Sequence, residues 1–266
     1  MGRADLADIP GQVRPVARDE SSGASAEGQS APENRLASEM AAAPGGNDDG
    51  FRIVNAVLAL SETAHLLRTL EASPLTRSRA GARHLMKHPA VSDVANDLRL
   101  LAIASAFLGA SAVPFRATLF DKSSAQNWLV PWHQDTALPL QERRDLPGWG
   151  PWSIKAGITY AHAPATALSR VVALRVHFDD SREDNGPLRV LPGTHALGVL
   201  SEADTERLVR EIPPVDCLVS SGGILALSPL ILHASSKAET DHPRRVLHIE
   251  YVDSLEVDDG LRIAIA

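Results

Sequence analysis

The sequence predicts an α+β fold, mainly β, with helices first and a double-sheet barrel or jelly roll of short strands after them. Three observations lead there. Apolar residues recur at helical spacing mostly before residue 109. From Pro114 onward, short runs rich in Val, Ile, Leu and Phe alternate with clusters of Gly, Pro, Asn and Asp. No segment repeats at a fixed period, which argues against a solenoid or propeller.

Taken in order, Phe51 to Ala59 reads as a first extended segment. Ser61 is placed to cap a helix through about Leu70, with Ala64, Leu66, Leu67 and Leu70 on its apolar side, and Pro74 ends it. Ser78 to His88 reads as a polar loop or turn near the edge of a site. Pro89 is expected to start a second helical stretch, Val94 to Leu108, stopped by Gly109. The strands follow: Phe115–Phe120, Trp128–His133, Val171–Phe178, Pro187–Leu191, Asp216–Ser220, Ile224–Leu227 and Arg244–Val252. Leu138 to Trp152, broken by Pro139, Pro147-Gly148 and Gly150-Pro151, is expected to be one long loop. Ser201 caps a helix to about Glu211, with Asp204 reaching back to it.

Composition divides the chain into two parts. Residues 1–50 hold no aromatic side chain, nine acids and four bases, a net charge of −5 out of −7 for the whole chain. So polar a segment cannot offset the entropy of ordering itself, so it is expected to be a disordered tail. Residues 51–266 form the expected folded domain and carry only about −2, which excludes a basic nucleic-acid surface. The most apolar run, Leu100 to Phe115, is broken by Ser105, Gly109, Ser111 and Pro114, and reads as a buried helix leading into a strand rather than a membrane span. The single cysteine, Cys217, excludes an internal disulfide and fits a reducing cytoplasm; it reads as a small buried strand residue.

The chemistry centres on Pro131-Trp132-His133-Gln134-Asp135. Strand alternation puts His133 and Asp135 on one face, two-thirds of a facial triad for Fe(II). A lone His-x-Asp arises often by chance, but His233 strengthens it. It follows a Gly222-Gly223 turn and an apolar strand, and Arg244 and Arg245 open the next strand. A ligating His followed by an Arg suits a 2-oxo acid, whose far carboxylate meets a guanidinium fork. Arg116 and Arg175 sit in alternating strands, as second anion anchors or as buried pairs with Asp179 or Glu250. Trp132, Trp149 and Trp152 either line a pocket or pack the core. His65, His84 and His88 read as surface or structural histidines.

The chain resembles the phytanoyl-CoA dioxygenase family of Fe(II)/2-oxoglutarate oxygenases. The matching stretches are Phe120-Asp121-Lys122 with Asn127-Trp128, VPWHQD at 130–135, LRVHFDD at 174–180, NGPLRVLPGTH at 185–195, PLILHASS at 229–236 and PRRVLHIEY at 243–251. The resemblance implies a cupin-like double-stranded β-helix with flanking N-terminal helices. It implies iron held by His133, Asp135 and His233, with 2-oxoglutarate and O2 as co-substrates and a small molecule as the oxidised substrate. By the family's spacing Arg244 is the better 2-oxoglutarate anchor, with Arg245 the alternative. Lys122 and Asn127 are further candidates for the co-substrate's carboxylate. The implied activity is hydroxylation with release of succinate and CO2; desaturation, epimerisation or ring formation would use the same residues. Two other readings stay open: a cupin-like metalloenzyme without 2-oxoglutarate, in which both arginines are dispensable, and a catalytically silent binding or sensing protein. No nucleic-acid or membrane partner is expected, and the sequence is silent on oligomeric state.

Overall fold

The computed structural model describes residues 45–46, 48–78, 81–122 and 127–266; of the expected 1–50 tail, only 45–46 and 48–50 fall among them, and the rest lies outside the described residues. The principal strands are β1 (Phe51–Val54), β2 (Gly81–Arg83), β3 (Val113–Lys122), β4 (Val130–His133), β5 (Ala137–Leu140), β6 (Trp152–Lys155) and β7 (Ile158–His162). They continue with β8 (Val171–His177), β9 (Leu188–Val190), β10 (Val215–Cys217), β11 (Ile224–Leu227), β12 (His233–Ser235) and β13 (Arg244–Val252). The main sheet runs β1-β11-β8-β13-β3-β2, with two-residue pairs at both edges, and the smaller sheet runs β10-β9-β12-β4. All of these pairings are antiparallel. The two sheets face each other as a double-stranded β-helix. At one end their facing residues meet in an apolar cluster that includes Phe51, Leu225 and Leu227 from the main sheet and Leu188, Val190 and Cys217 from the smaller one.

The outer face of the main sheet is covered by helices α1 (Leu60–Ala72), α2 (Pro89–Ala95) and α3 (Leu98–Leu108). Leu174 and Val176 of β8, Ala117 and Leu119 of β3, and Leu247, Ile249 and Tyr251 of β13 pack there against Leu66, Leu70, Leu100 and Ile103. Burying each such side chain contributes about 1.5–3 kcal/mol. Because strand side chains alternate, the next residues along the same strands point into the barrel. These are Arg116, Thr118, Phe120 and Lys122 on β3, Arg175 and His177 on β8, and Arg244, His248 and Glu250 on β13.

Three expectations are corrected. Ser61 is not the helix cap: α1 starts at Leu60, and the Glu62 carboxylate accepts the Ala59 N–H at 2.6 Å. The second helical stretch does start at Pro89 and stop at Gly109, but it is two helices, because the Asp97 carboxylate accepts the Arg99 N–H and caps a new start. The expected loop at 138–152 is a loop over 141–151, but its ends belong to strands β5 and β6 of a third sheet, ordered β5-β7-β6. Pro139 is tolerated because β5 is an edge strand of that sheet. Glu202–Glu211 (α4) does start at Ser201, whose hydroxyl accepts the Asp204 N–H. Cys217 is buried, and burial pushes its thiol up to about 12, as a structural cysteine requires. No helix among the described residues is long and apolar enough to cross a membrane.

Candidate active site

Two short strands of the smaller sheet bring the first two ligands together. β12 pairs with β4 so that His233 lies directly opposite His133, and the ring centroids are 4.2 Å apart. Asp135 lies beyond the end of β4, so alternation alone does not hold it. Its backbone N–H donates to the Pro229 carbonyl at 2.9 Å, which turns the carboxylate onto the histidines. One carboxylate oxygen is then 3.7 Å from His133 Nε2, and the other is 3.5 Å from His233 Nε2. One ligand atom from each of the three residues lies within 4.8 Å of the others. The intervening Gln134 points away, donating to the Gly198 and Leu230 carbonyls and accepting the Leu200 N–H.

The donor set fits a divalent ion of the non-haem iron type. His133 Nδ1 donates to the Pro131 carbonyl at 2.8 Å and His233 Nδ1 to the Ile231 carbonyl at 2.9 Å. Each bond fixes the tautomer that leaves Nε2 free as a metal ligand. Burial lowers the His233 pKa to about 4, so its ring stays neutral at physiological pH. Burial by itself would raise the Asp135 carboxyl, but positive charge around it, from His233 and His133 whenever they are protonated and then from His248 and Arg116, holds it below the usual carboxylate range.

Beside the triad is an inner cavity of about 120 Å³, also lined by Lys122, Arg175, Ser235 and Arg244. Strand register explains this grouping. Arg244 pairs with Lys122 across β13 and β3, and His248 pairs with Arg175 across β13 and β8. Lys122 donates to Ser235 Oγ at 2.9 Å and to the Ser236 carbonyl, while Arg244 donates to the same Ser235 hydroxyl at 3.2 Å. Arg175 donates to His248 Nδ1 at 3.3 Å. Among the described residues, none of these three buried cations has a carboxylate partner, and Arg175 Nε and Arg244 Nε have no partner at all. Burial first, then Arg244 and Arg175, pull the Lys122 pKa down to about 8. Gly186 makes room for this lysine: at its φ of +68°, an added Cβ would lie 2.9 Å from Lys122 Nζ and 2.5 Å from the Ser236 carbonyl oxygen.

A second, outer pocket of about 260 Å³ shares Asp135 and Phe120 with the first and is bordered by Arg83, His84, Arg116, Lys155 and Tyr160. Here Arg116 is paired, donating to both oxygens of Glu250 and to the Ala137 carbonyl at 2.9 Å. Of the two roles open to Arg116 in the sequence, the structure shows the buried pair with Glu250.

Two sequence candidates do not reach either pocket. Arg245 has the opposite strand parity to Arg244, so it lies toward the helix-covered side, where it grips both Asp179 oxygens and Glu71. Asn127 spends both ends of its amide on the Ala238 backbone, at 2.7 and 2.8 Å, and so clamps a loop. Of the tryptophans, Trp149 is buried and donates to Asp258, Trp152 packs beside it, and Trp132 faces an open groove beside α4. Sequence reading missed Ser235, His248, Arg83 and Lys155. The alternation of Arg244 and His248 along β13 was the available signal for His248; Lys155 ends the short strand β6 before a hairpin turn, where nothing in the sequence marks it.

A family model described as phytanoyl-CoA dioxygenase (PhyH) matches residues 47–246. The chain belongs to this family of Fe(II)/2-oxoglutarate oxygenases. A search of curated proteins finds no match. Among solved structures, the chain is similar to AviO1 from Streptomyces viridochromogenes Tue57, at 22% identity and a TM-score of 0.57, over 78% of this chain and 91% of that one. It is similar to EctD from S. alaskensis with 2-oxoglutarate and 5-hydroxyectoine, at 17% identity and 0.60, over 79% and 74%. It is also similar to the epimerase SnoN in complex with Fe3+, alpha ketoglutarate and nogalamycin RO, at 20% identity and 0.60, over 84% of both chains. At these identities the likeness concerns the fold.

Proposed function

We propose that this protein is an Fe(II)- and 2-oxoglutarate-dependent dioxygenase that hydroxylates a small molecule, releasing succinate and CO2. One observation carries the reading: three buried cations without carboxylate partners line a small cavity against a His-Asp-His triad. Buried charges are costly unless matched, so the cavity requires an anion. A 2-oxo dicarboxylate has one end to chelate a metal at the triad and another to meet a guanidinium. That need also weighs against the metalloenzyme without 2-oxoglutarate and against the silent barrel.

The roles of the residues follow from their positions. His133, Asp135 and His233 would hold the iron and leave one side of it open. When bound, the iron and co-substrate supply the oxidising chemistry. Arg244 would take the distal carboxylate in a fork, with Ser235 Oγ beside it as a donor. Lys122 and Arg175 would neutralise the remaining charge. Phe120 and Trp128 keep water off that side of the cavity. The outer pocket, on the other side of Asp135, would receive the substrate. Arg245 and Asn127 are assigned to scaffolding.

Purified protein given Fe(II) and 2-oxoglutarate in air should form succinate, slowly alone and faster with substrate. The absence of metal-dependent succinate, coupled or uncoupled, after anaerobic iron loading would overturn the proposal. A screen of small molecules by stimulated succinate release, followed by product mass, would identify the substrate; a product without added oxygen would replace hydroxylation with another outcome of the same site.

A further inference from the structure

The outer pocket has a chemistry of its own. Its lining contains a single acid among the described residues, Asp135, which faces the histidines. Against it stand three cationic side chains: Arg83, Arg116 and Lys155. Arg116 is neutralised by Glu250, which leaves Arg83 and Lys155. Neither makes an ion pair among the described residues. Lys155 Nζ lies 4.8 Å from the centre of the Tyr160 ring, and Arg116 approaches the same ring at 5.7 Å.

The scaffold beneath these two cations is built rather than loose. Arg83 ends β2, which pairs with β3 through Thr118. His84 follows in the left-handed region, at φ 61°, and its Nε2 meets Tyr160 OH at 2.8 Å. Lys155 ends β6 and pairs with Ile158 across the hairpin that carries Tyr160. The His84–Tyr160 contact therefore ties the end of β2, which carries Arg83, to β7, the hairpin partner of the strand that carries Lys155. The positive field registers on His84: burial lowers its pKa, and Arg116, Arg83 and Lys155 each lower it further. His84 is thus a neutral tie and not a third charge.

We propose that the outer pocket selects an anionic substrate, whose carboxylate or phosphate is held by Lys155 and Arg83 at the mouth while its body extends toward Asp135 and the metal. The proposal rests on the oxygenase reading for what happens to that substrate, but the anion site stands on the pocket's own residues. The separation of the two anion sites matters. Lys122, Arg175 and Arg244 serve the inner cavity, so co-substrate and substrate need not compete for the same cations. An acidic substrate would seat its charge at Lys155 and Arg83; a neutral one would leave both unmatched.

The test is anaerobic calorimetry on protein loaded with Fe(II) and saturated with 2-oxoglutarate. Inorganic phosphate and, separately, acetate are titrated in, which distinguishes the two oxyanions. At least one should bind, and the double variant Arg83→Ala/Lys155→Ala should bind it at least tenfold more weakly. The charge-conserving pair Arg83→Lys/Lys155→Arg should stay within about threefold of wild type, which separates lost charge from lost fold. The Kd for 2-oxoglutarate, read in the loading step, should be the same in all three proteins. Equal oxyanion affinity in wild type and the alanine pair, or no binding of either anion, would overturn the proposal. Failure to bind 2-oxoglutarate would instead refute the oxygenase reading, and the oxyanion comparison between the proteins would still be read without it.

Discussion

The two faces of the main sheet live in different solvents. On β13, Leu247, Ile249 and Tyr251 pack against helices in the largest apolar cluster, while Arg244, His248 and Glu250 face the barrel interior. The contrast is sharpest at two neighbours of the same chemical type. Arg245 is neutralised by Asp179 and Glu71, with N–O distances of 2.7 and 2.8 Å. Arg244 is buried, and among the described residues only a serine hydroxyl meets it. One step along a strand separates a cation matched by two carboxylates from one that no carboxylate among the described residues meets. The difference shows how a single β-layer supports an apolar core on one side and a cavity lined by charged side chains on the other.

Asp135→Ala removes the only acid of the triad, and metal-dependent succinate should fall to the level of a protein-free control. Succinate above a tenth of wild type would remove Asp135 from the proposed centre. Arg244→Ala should weaken 2-oxoglutarate binding roughly 10–100-fold, the equivalent of one charge-assisted bond of about 1.5–3 kcal/mol. On the helix-facing side, Leu174→Ala empties a fully buried site and should cost about 2–5 kcal/mol in urea unfolding, with 2-oxoglutarate affinity unchanged in the folded protein.

Gly186→Ala should cost about 1–3 kcal/mol, because its backbone is left-handed and the new methyl meets the Ser236 carbonyl and Lys122. A neutral effect would show that the cavity edge yields. Arg245→Ala should cost only about 0.5–1 kcal/mol of stability, as a partly exposed pair does.

The interior face should also respond to pH. Burial lowers His233 to about 4 and His248 to about 3, both below the ordinary value of about 6.5. The unfolded chain therefore binds more protons than the native one between those values. Stability of the metal-free protein should fall as pH drops from about 6.5 toward 4, seen as a falling Tm. A Tm flat across that window would mean that these imidazoles are not held neutral.

Much of this arrangement was legible beforehand because it is local. His-x-Asp on a strand, the turn before His233 and the alternation of β13 are short-range patterns, and strands at Ile224–Leu227 and Arg244–Val252 were read to the residue. The choice between Arg244 and Arg245 was not settled by spacing, since parity near a turn depends on where pairing begins; the register Arg244 to Lys122 decides which faces inward. The sheet of β5, β6 and β7 was hidden because proline and glycine, read as loop signals, are tolerated at its edge and turns. Glu250 stood among the candidate partners of Arg116, but it lies 134 residues away, so only the fold chooses it over Asp179. The outer pocket joins Arg83, Lys155 and Tyr160 from three strands, so only the fold reveals it.

On the proposed function, the inward face of the main sheet holds 2-oxoglutarate beside the His-Asp-His triad. Anaerobic calorimetry of 2-oxoglutarate into Fe(II)-loaded wild type, Arg244→Ala and Arg245→Ala tests it most directly. The structure predicts tight binding in wild type and Arg245→Ala and a Kd raised at least tenfold in Arg244→Ala. Equal affinities in the two variants, or no binding in wild type, would contradict it.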